Sequence, residues 1–174
     1  MRALRHLTLL LTLLTPMALA DGLYQVELIL FRQAAEPISA GQVAPDDWAG
    51  GAPALAAESL RGISLDSEAA RLTPDKGYQV LLHKAWQQNL SATPSKVALS
   101  EGTSQFGHAP IEGTLSLQQA RFVDVQADFW INQFSADGLL SGSERLKQSN
   151  RLKTGELTFL DHGHLGLLIK VSPL

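Results

Sequence analysis

Segments that alternate apolar and polar residues, a long Ala/Gly/Pro-rich interruption after the first of them, and the lack of cysteine together predict an α+β fold. The expectation is a single domain with a largely antiparallel sheet of about five to six strands and one or two short helices. Period-two alternation supplies the strands, because successive side chains of an extended chain point to opposite faces. The interruption supplies the helices. Without cysteine the core has to hold by packing alone.

Residues 1–20 read as an export leader. Arg2 and Arg5 give a basic start, Leu7 to Leu14 an apolar core, Pro16 a break, and Ala18-Leu19-Ala20 the small-x-small pattern of a signal peptidase site, so cleavage is expected after Ala20. The apolar run is shorter than the roughly 20 residues of a spanning helix, and no second such run follows, so no membrane insertion is expected after cleavage. Removing 20 of 174 residues leaves 154, a length suited to one domain over residues 21–174. Two arginines leave with the leader, so 12 basic side chains face 17 acidic ones and the net charge moves from −3 to −5. Such a balance disfavours nucleic acid and anionic membrane surfaces as partners. The missing cysteine excludes a lipidated cleavage site, thiolate chemistry and cysteine zinc sites. The expected location is the periplasm.

Leu23 to Arg32 (LYQVELILFR) opens the mature chain as a central strand, with Tyr24, Val26, Leu28 and Leu30 on one face and Gln25, Glu27, Ile29 and Phe31 on the other. Residues 33–75 form the insertion, punctuated by Pro37, Pro45, Gly50-Gly51 and Pro53, with short helices expected at Pro53 to Arg61 and Asp66 to Leu72. Trp48 within it reads as a plug at the core's edge. Tyr78 to Gln88 is the next strand; Tyr78, Val80, Leu82 and Trp86 share a face opposite Leu81, His83 and Ala85, and His83 reads as a hydrogen-bonded core histidine. Asn89 to Pro110 reads as a polar surface loop. Ile111 to Leu117 gives a short strand and Arg121 to Phe134 a long one. In the latter, Val123, Val125, Ala127, Phe129 and Ile131 face inward, while Asp124, Gln126, Asp128, Trp130 and Asn132 face out. Gly138 and Gly142 frame a hairpin turn into Ser143 to Lys153, where Leu146 and Leu152 face the core. The chain closes with RLKTGELTFLDHGHLGLLIKV, residues 151–171, ending as a strand before Pro173.

Enzymatic readings lack supporting residues. Asp161, His162 and His164 could ligate a metal, but no HExxH or carboxylate-rich set accompanies them. Ser104 and Ser141 have no GxSxG context. Asp124 and Asp128 lie four residues apart, about 13 Å along a strand, too far for a paired-carboxylate glycosidase, and the pair Glu156 and Asp161 has few aromatics to bind a sugar chain. No catalytic residue, metal or cofactor is therefore expected. The ligand-binding candidates are Trp130 and Trp86, which could stack on a sugar ring, with Arg151, Glu156, Asp161 and His162 opening onto a groove beside them. The structural alternative turns the same polar residues inward: Asp161 caps a turn, His162 donates to a backbone carbonyl, and Arg151 pairs with Glu156 across Gly155.

The blocks YQVELILFR, YQVLLHKAWQQ, RFVDVQADFW and the closing RLKTGELTFLDHGHLGLLIKVSP resemble the CsiV family of periplasmic peptidoglycan-binding proteins. The closing block carries most of the likeness. Arg151, Glu156, Leu157, Leu160, Asp161, His162 and Gly166 match that family's R-x-x-x-x-E-L-x-Y-L-D-H-P-x-x-G pattern, with Phe159 at the Tyr position and Gly163 at the Pro position. The resemblance implies a non-catalytic accessory protein of cell-wall synthesis. It would bind peptidoglycan and act with a lipoprotein activator and a class A penicillin-binding protein. The alternatives from other classes are a metal-dependent or hydrolytic enzyme built on Asp161, His162 and His164, and an envelope scaffold that contacts proteins only.

Overall fold

The computed structural model describes residues 22–34 and 36–174. The leader expected at residues 1–20, with its cleavage site, lies outside them. Eight strands follow: β1 (Gly22–Gln33), β2 (Tyr78–Leu90), β3 (Ser95–Glu101), β4 (Ile111–Gln119), β5 (Val123–Phe134), β6 (Leu140–Leu152), β7 (Leu157–His162) and β8 (Leu165–Pro173). They form two four-stranded antiparallel sheets, ordered β2-β1-β8-β7 and β3-β4-β5-β6. The expected five to six strands in one sheet are thus corrected to eight in two. The additions are β3, in the segment read as a polar loop, and β7, in the segment read as a polar rim. Among the described residues no helix is long and apolar enough to cross a membrane.

Each strand follows its chain neighbour in space, and β8 returns to pair with β1. Hydrogen bonding breaks only at two seams, β2/β3 and β6/β7, where the chain passes from one sheet to the other. The inward rows of both sheets meet in one core that includes Val26, Leu28, Leu30, Trp86, Leu115, Phe129, Leu146, Leu167 and Ile169. This is the packing that period-two alternation demands of a chain with apolar residues on one face of each strand. Gly113 of β4 permits it, because a Cβ there would stand 2.2 Å from Cδ1 of Phe129.

The pairing of β1 with β2 slips by one residue between the Leu30–Leu82 and Phe31–Val80 pairs. The slip corrects the expected face assignment in β2: Leu82 and Trp86 enter the core, while Tyr78 and Val80 turn outward with Phe31. The Tyr78 and Phe31 rings meet edge to face at 5.9 Å, and Phe159 stacks on Phe31 from β7. Gly166 makes room for that stack, since its Cβ would lie 2.5 Å from the Phe31 ring.

The insertion carries one turn of α-helix, α1 (Asp66–Ala69), and two 3-10 turns (Ala57–Ser59 and Pro74–Lys76), close to the helices expected there. Leu65, Ala69 and Leu72 cover Ile29 and Phe31 on the outer face of the first sheet. Residues 54–61 staple the β2/β3 seam, with Ala54 bridging to Ala98 of β3 and Leu60 to Trp86 of β2. Three buried glutamates, each bonded to a histidine, hold the insertion down. Glu27 receives the Ser64 amide and hydroxyl, the Leu65 amide and His83 Nε2 at 2.8 Å. Glu112 receives His108 Nδ1 at 3.0 Å and the Asn132 amide, which passes the chain on through Ser143 to the Ala44 amide. The third, Glu144, belongs to the site below.

Candidate functional site

The outward face of the second sheet presents an extended row of polar side chains. Asp124, Gln126, Asp128 and Trp130 of β5 stand opposite Arg151, Ser149, Lys147 and Arg145 of β6. Arg145 forks onto Asp128, with Nε to Oδ1 at 2.8 Å and Nη2 to Oδ2 at 2.7 Å, and its guanidinium lies 4.3 Å from the Trp130 ring centroid. Hydrogen bonding to Asp128 raises the Arg145 pKa further, so this cation is permanent. Arg151 Nε reaches Asp124 Oδ1 at 3.0 Å.

Three concavities run along this face. A central trough of about 460 Å³ has Thr114, Ser116 and Gln126 on its floor and Lys96 and Lys147 among its lining. It shares Gln126 and Ser149 with a shallower hollow of about 370 Å³ around Asp124, Asn150 and Arg151. Past the Arg145–Asp128 pair lies a cleft of about 400 Å³, walled by Trp130, Arg145, His162, Gly163 and His164 and roofed by residues 38–42. From Asp124 to Trp130 this track covers about 20 Å at strand rise.

Beneath the cleft, Glu144 of β6 is fully engaged. Arg32 Nη2 donates to Oε1 at 2.6 Å, Arg32 Nε to Oε2 at 3.2 Å, and His164 Nε2 to Oε2 at 2.5 Å. Burial works against this carboxylate, but the hydrogen bonds from Arg32 and His164, together with the Arg32 charge, outweigh it and hold its pKa below the ordinary value. His164 Nδ1 accepts the Ile38 amide at 3.1 Å, which fixes the proton on Nε2. Ser39 bridges to Glu144 and the Ala40 amide donates to Ser143, so residues 38–44 are strapped along the end of β6. With every oxygen lobe occupied, Glu144 serves as the strap's anchor.

The structure separates the residues singled out in the sequence. Trp130 and His162 meet in the strap cleft, although Trp130 is only 3% exposed because Arg145 and the strap cover it. Trp86 is wholly buried, with its indole N–H on Gln88, and has no face to offer a ligand. Arg151 lies at the far end of the polar track. Its expected pairing with Glu156 is corrected: Arg151 bonds Asp124, and Glu156 stands near Lys153 at 3.5 Å. Asp161 caps no turn; it accepts Gln33 Nε2 at 3.1 Å on the outer side of the first sheet. His162 accepts the Gln148 side-chain amide at Nδ1 and does not donate to a carbonyl. Asp161, His162 and His164 therefore turn to three different partners and share no centre. Gly163 opens the two-residue β7–β8 turn at φ +64, a value closed to proline, so this turn cannot take the shape a proline would give.

Sequence reasoning noted the outward row of β5 but missed Lys96, Thr114, Ser116, Lys147 and Ser149. The alternation of Glu112, Thr114 and Ser116 in β4 and of Arg145, Lys147 and Ser149 in β6 was the available signal. No curated protein and no solved structure matches the chain. A family model described as "Peptidoglycan-binding protein, CsiV" matches residues 54–174, which takes in β2 through β8 and the stapling half of the insertion. Covering well over half of the sequence, that match places the chain in the CsiV family.

Proposed function

We propose that this protein binds peptidoglycan in the periplasm as a non-catalytic accessory of wall synthesis, and that the wall lies along the outward face of β4, β5 and β6. The family match supports the ligand class. The observation that carries the surface is the row of concavities along β5, polar from the Arg151–Asp124 pair to the Arg145–Asp128 pair and followed beyond it by the strap cleft. A track about 20 Å long, floored by hydroxyl and amide side chains and edged by charged ones, suits an extended glycopeptide that needs many modest hydrogen bonds. The accessory role, with a lipoprotein activator and a class A penicillin-binding protein as partners, follows from the family resemblance alone.

Co-sedimentation with purified sacculi tests the first half. The protein should pellet with sacculi, and a Gln126→Glu variant, which places a charge mid-track at an exposed position, should pellet less while keeping its Tm. Recovery of the unaltered protein no greater than in a sacculus-free control would refute wall binding. Capture of the synthase and activator without any wall binding would instead make the protein a protein-only envelope scaffold.

A further inference from the structure

We infer that the central trough recognises the carboxylates of the peptide stem, through Lys96 and Lys147, and not the glycan strand itself. The inference rests on the peptidoglycan reading above and sharpens it to one part of the polymer.

The charge distribution in the trough points there. Asp128 is the only carboxylate among its lining residues, and both of its oxygens are already forked by Arg145. Lys147 Nζ reaches Asp128 only at 4.0 Å, and its side chain is mostly exposed. Among the described residues no carboxylate lies within ion-pair distance of Lys96. Two ammonium groups are thus left without a full counter-charge, on a protein whose net charge is negative. A trough built to hold a neutral sugar chain has no use for such a surplus, whereas one that holds carboxylates needs it.

The spacing agrees. Lys96 sits on β3 in the row Lys96–Ser116–Gln126–Ser149, and Lys147 sits on β6 in the adjacent row Thr114–Asp128–Lys147. Three strand steps separate β3 from β6, about 14 Å, which is close to the length of four residues of extended peptide. The floor between them offers Thr114, Ser116 and Gln126, able both to donate to and to accept from the amides of a bound peptide. In peptidoglycan the lactyl carboxyl of the sugar is consumed in the amide link to the stem, so free carboxylates reside on the peptide.

The test titrates the full mature chain with two soluble probes, a disaccharide carrying its tetrapeptide and a neutral oligomer of N-acetylglucosamine, which keeps the amide-bearing sugar backbone but has no carboxyl group. The peptide-bearing probe should bind, weaken as salt rises, and lose about a hundredfold affinity with a Lys96→Gln/Lys147→Gln variant, about tenfold for each charge-assisted contact removed. Lys96→Arg/Lys147→Arg should retain most of the binding. Equal affinity for both probes, or no loss in the Gln variant at unchanged Tm, overturns the carboxylate assignment. Sacculus binding by the unaltered protein, measured alongside, separates the outcomes: if it persists, only this inference falls; if it is absent, the peptidoglycan reading falls too.

Discussion

Single side chains in this protein differ sharply in what their loss would cost, and the difference follows from what each one touches. Asp161 matches the family's closing block, yet it accepts one hydrogen bond from Gln33 in an exposed position. Asp161→Ala is expected to change stability by no more than about 0.5 kcal/mol, read as a small shift in Tm. Gly113 carries no chemistry, but a Cβ there would meet the Phe129 ring at 2.2 Å and the Asp128 carbonyl at 2.7 Å. Gly113→Ala should therefore cost about 1–3 kcal/mol by overpacking, and an unchanged Tm would show that Phe129 can move aside freely. Residue identity in the sequence told part of this. The inward and outward rows of β5 were legible because alternation is a local property. The partner of Arg151 was not, because it depends on cross-strand register, and β5 and β6 shift register at Gln133/Phe134.

Among the elements, the strands most plainly visible in the sequence are those with their apolar residues inside. β7 hides because Leu157 and Phe159 point outward and are partly exposed, leaving Leu160 as its core residue. β3 hides because its alternation is short and lies between Pro94 and Gly102, among residues that read as a loop. The insertion was recognised by composition, but its function as a staple and cover was not, since composition says nothing of where a segment docks. Docking depends on Glu27, whose carboxylate gathers the Ser64 and Leu65 amides, the Ser64 hydroxyl and His83. Glu27→Ala would leave those donors buried without an acceptor, a loss of about 2–3 kcal/mol. It should fall first on the insertion, because the sandwich core lies on the other face of β1. Limited trypsin digestion reads this directly. Cleavage at Arg71 and Lys76 should accelerate while the strands stay intact, and an unchanged cleavage rate would mean that Leu65 and Leu72 hold the segment by packing alone.

For the molecule as a whole, one sheet could not be told from two, because alternation reports in or out and never which neighbouring strands stop pairing. The two seams close through the insertion: residues 54–61 across β2/β3, and residues 38–44 along β6 beside the Gln148 contacts to β7. Because buried Glu–His pairs fasten that insertion, global stability should depend on pH at both ends. At Glu27, burial opposes the charge, but hydrogen bonds from Ser64, His83 and Leu65 prevail; at Glu144, those of Arg32 and His164 do the same. Both carboxyls sit below their unfolded value of 4.5, so their contribution is present above that pH and is lost as pH falls through the folded values. His108 runs the other way. Its hydrogen bond to Glu112 outweighs burial and, with help from Asp46 at its other nitrogen, raises its pKa above 6.5. Its contribution is complete below 6.5 and is lost as pH rises through the raised value. Thermal melts across the pH range should accordingly show a plateau between 4.5 and 6.5, falling on both sides. His108→Gln should flatten the alkaline fall and Glu144→Gln should lessen the acid one, each while lowering the plateau itself. An alkaline fall that survives unchanged in His108→Gln would assign it to other groups and leave the Asp46 end of the insertion held by its backbone contacts.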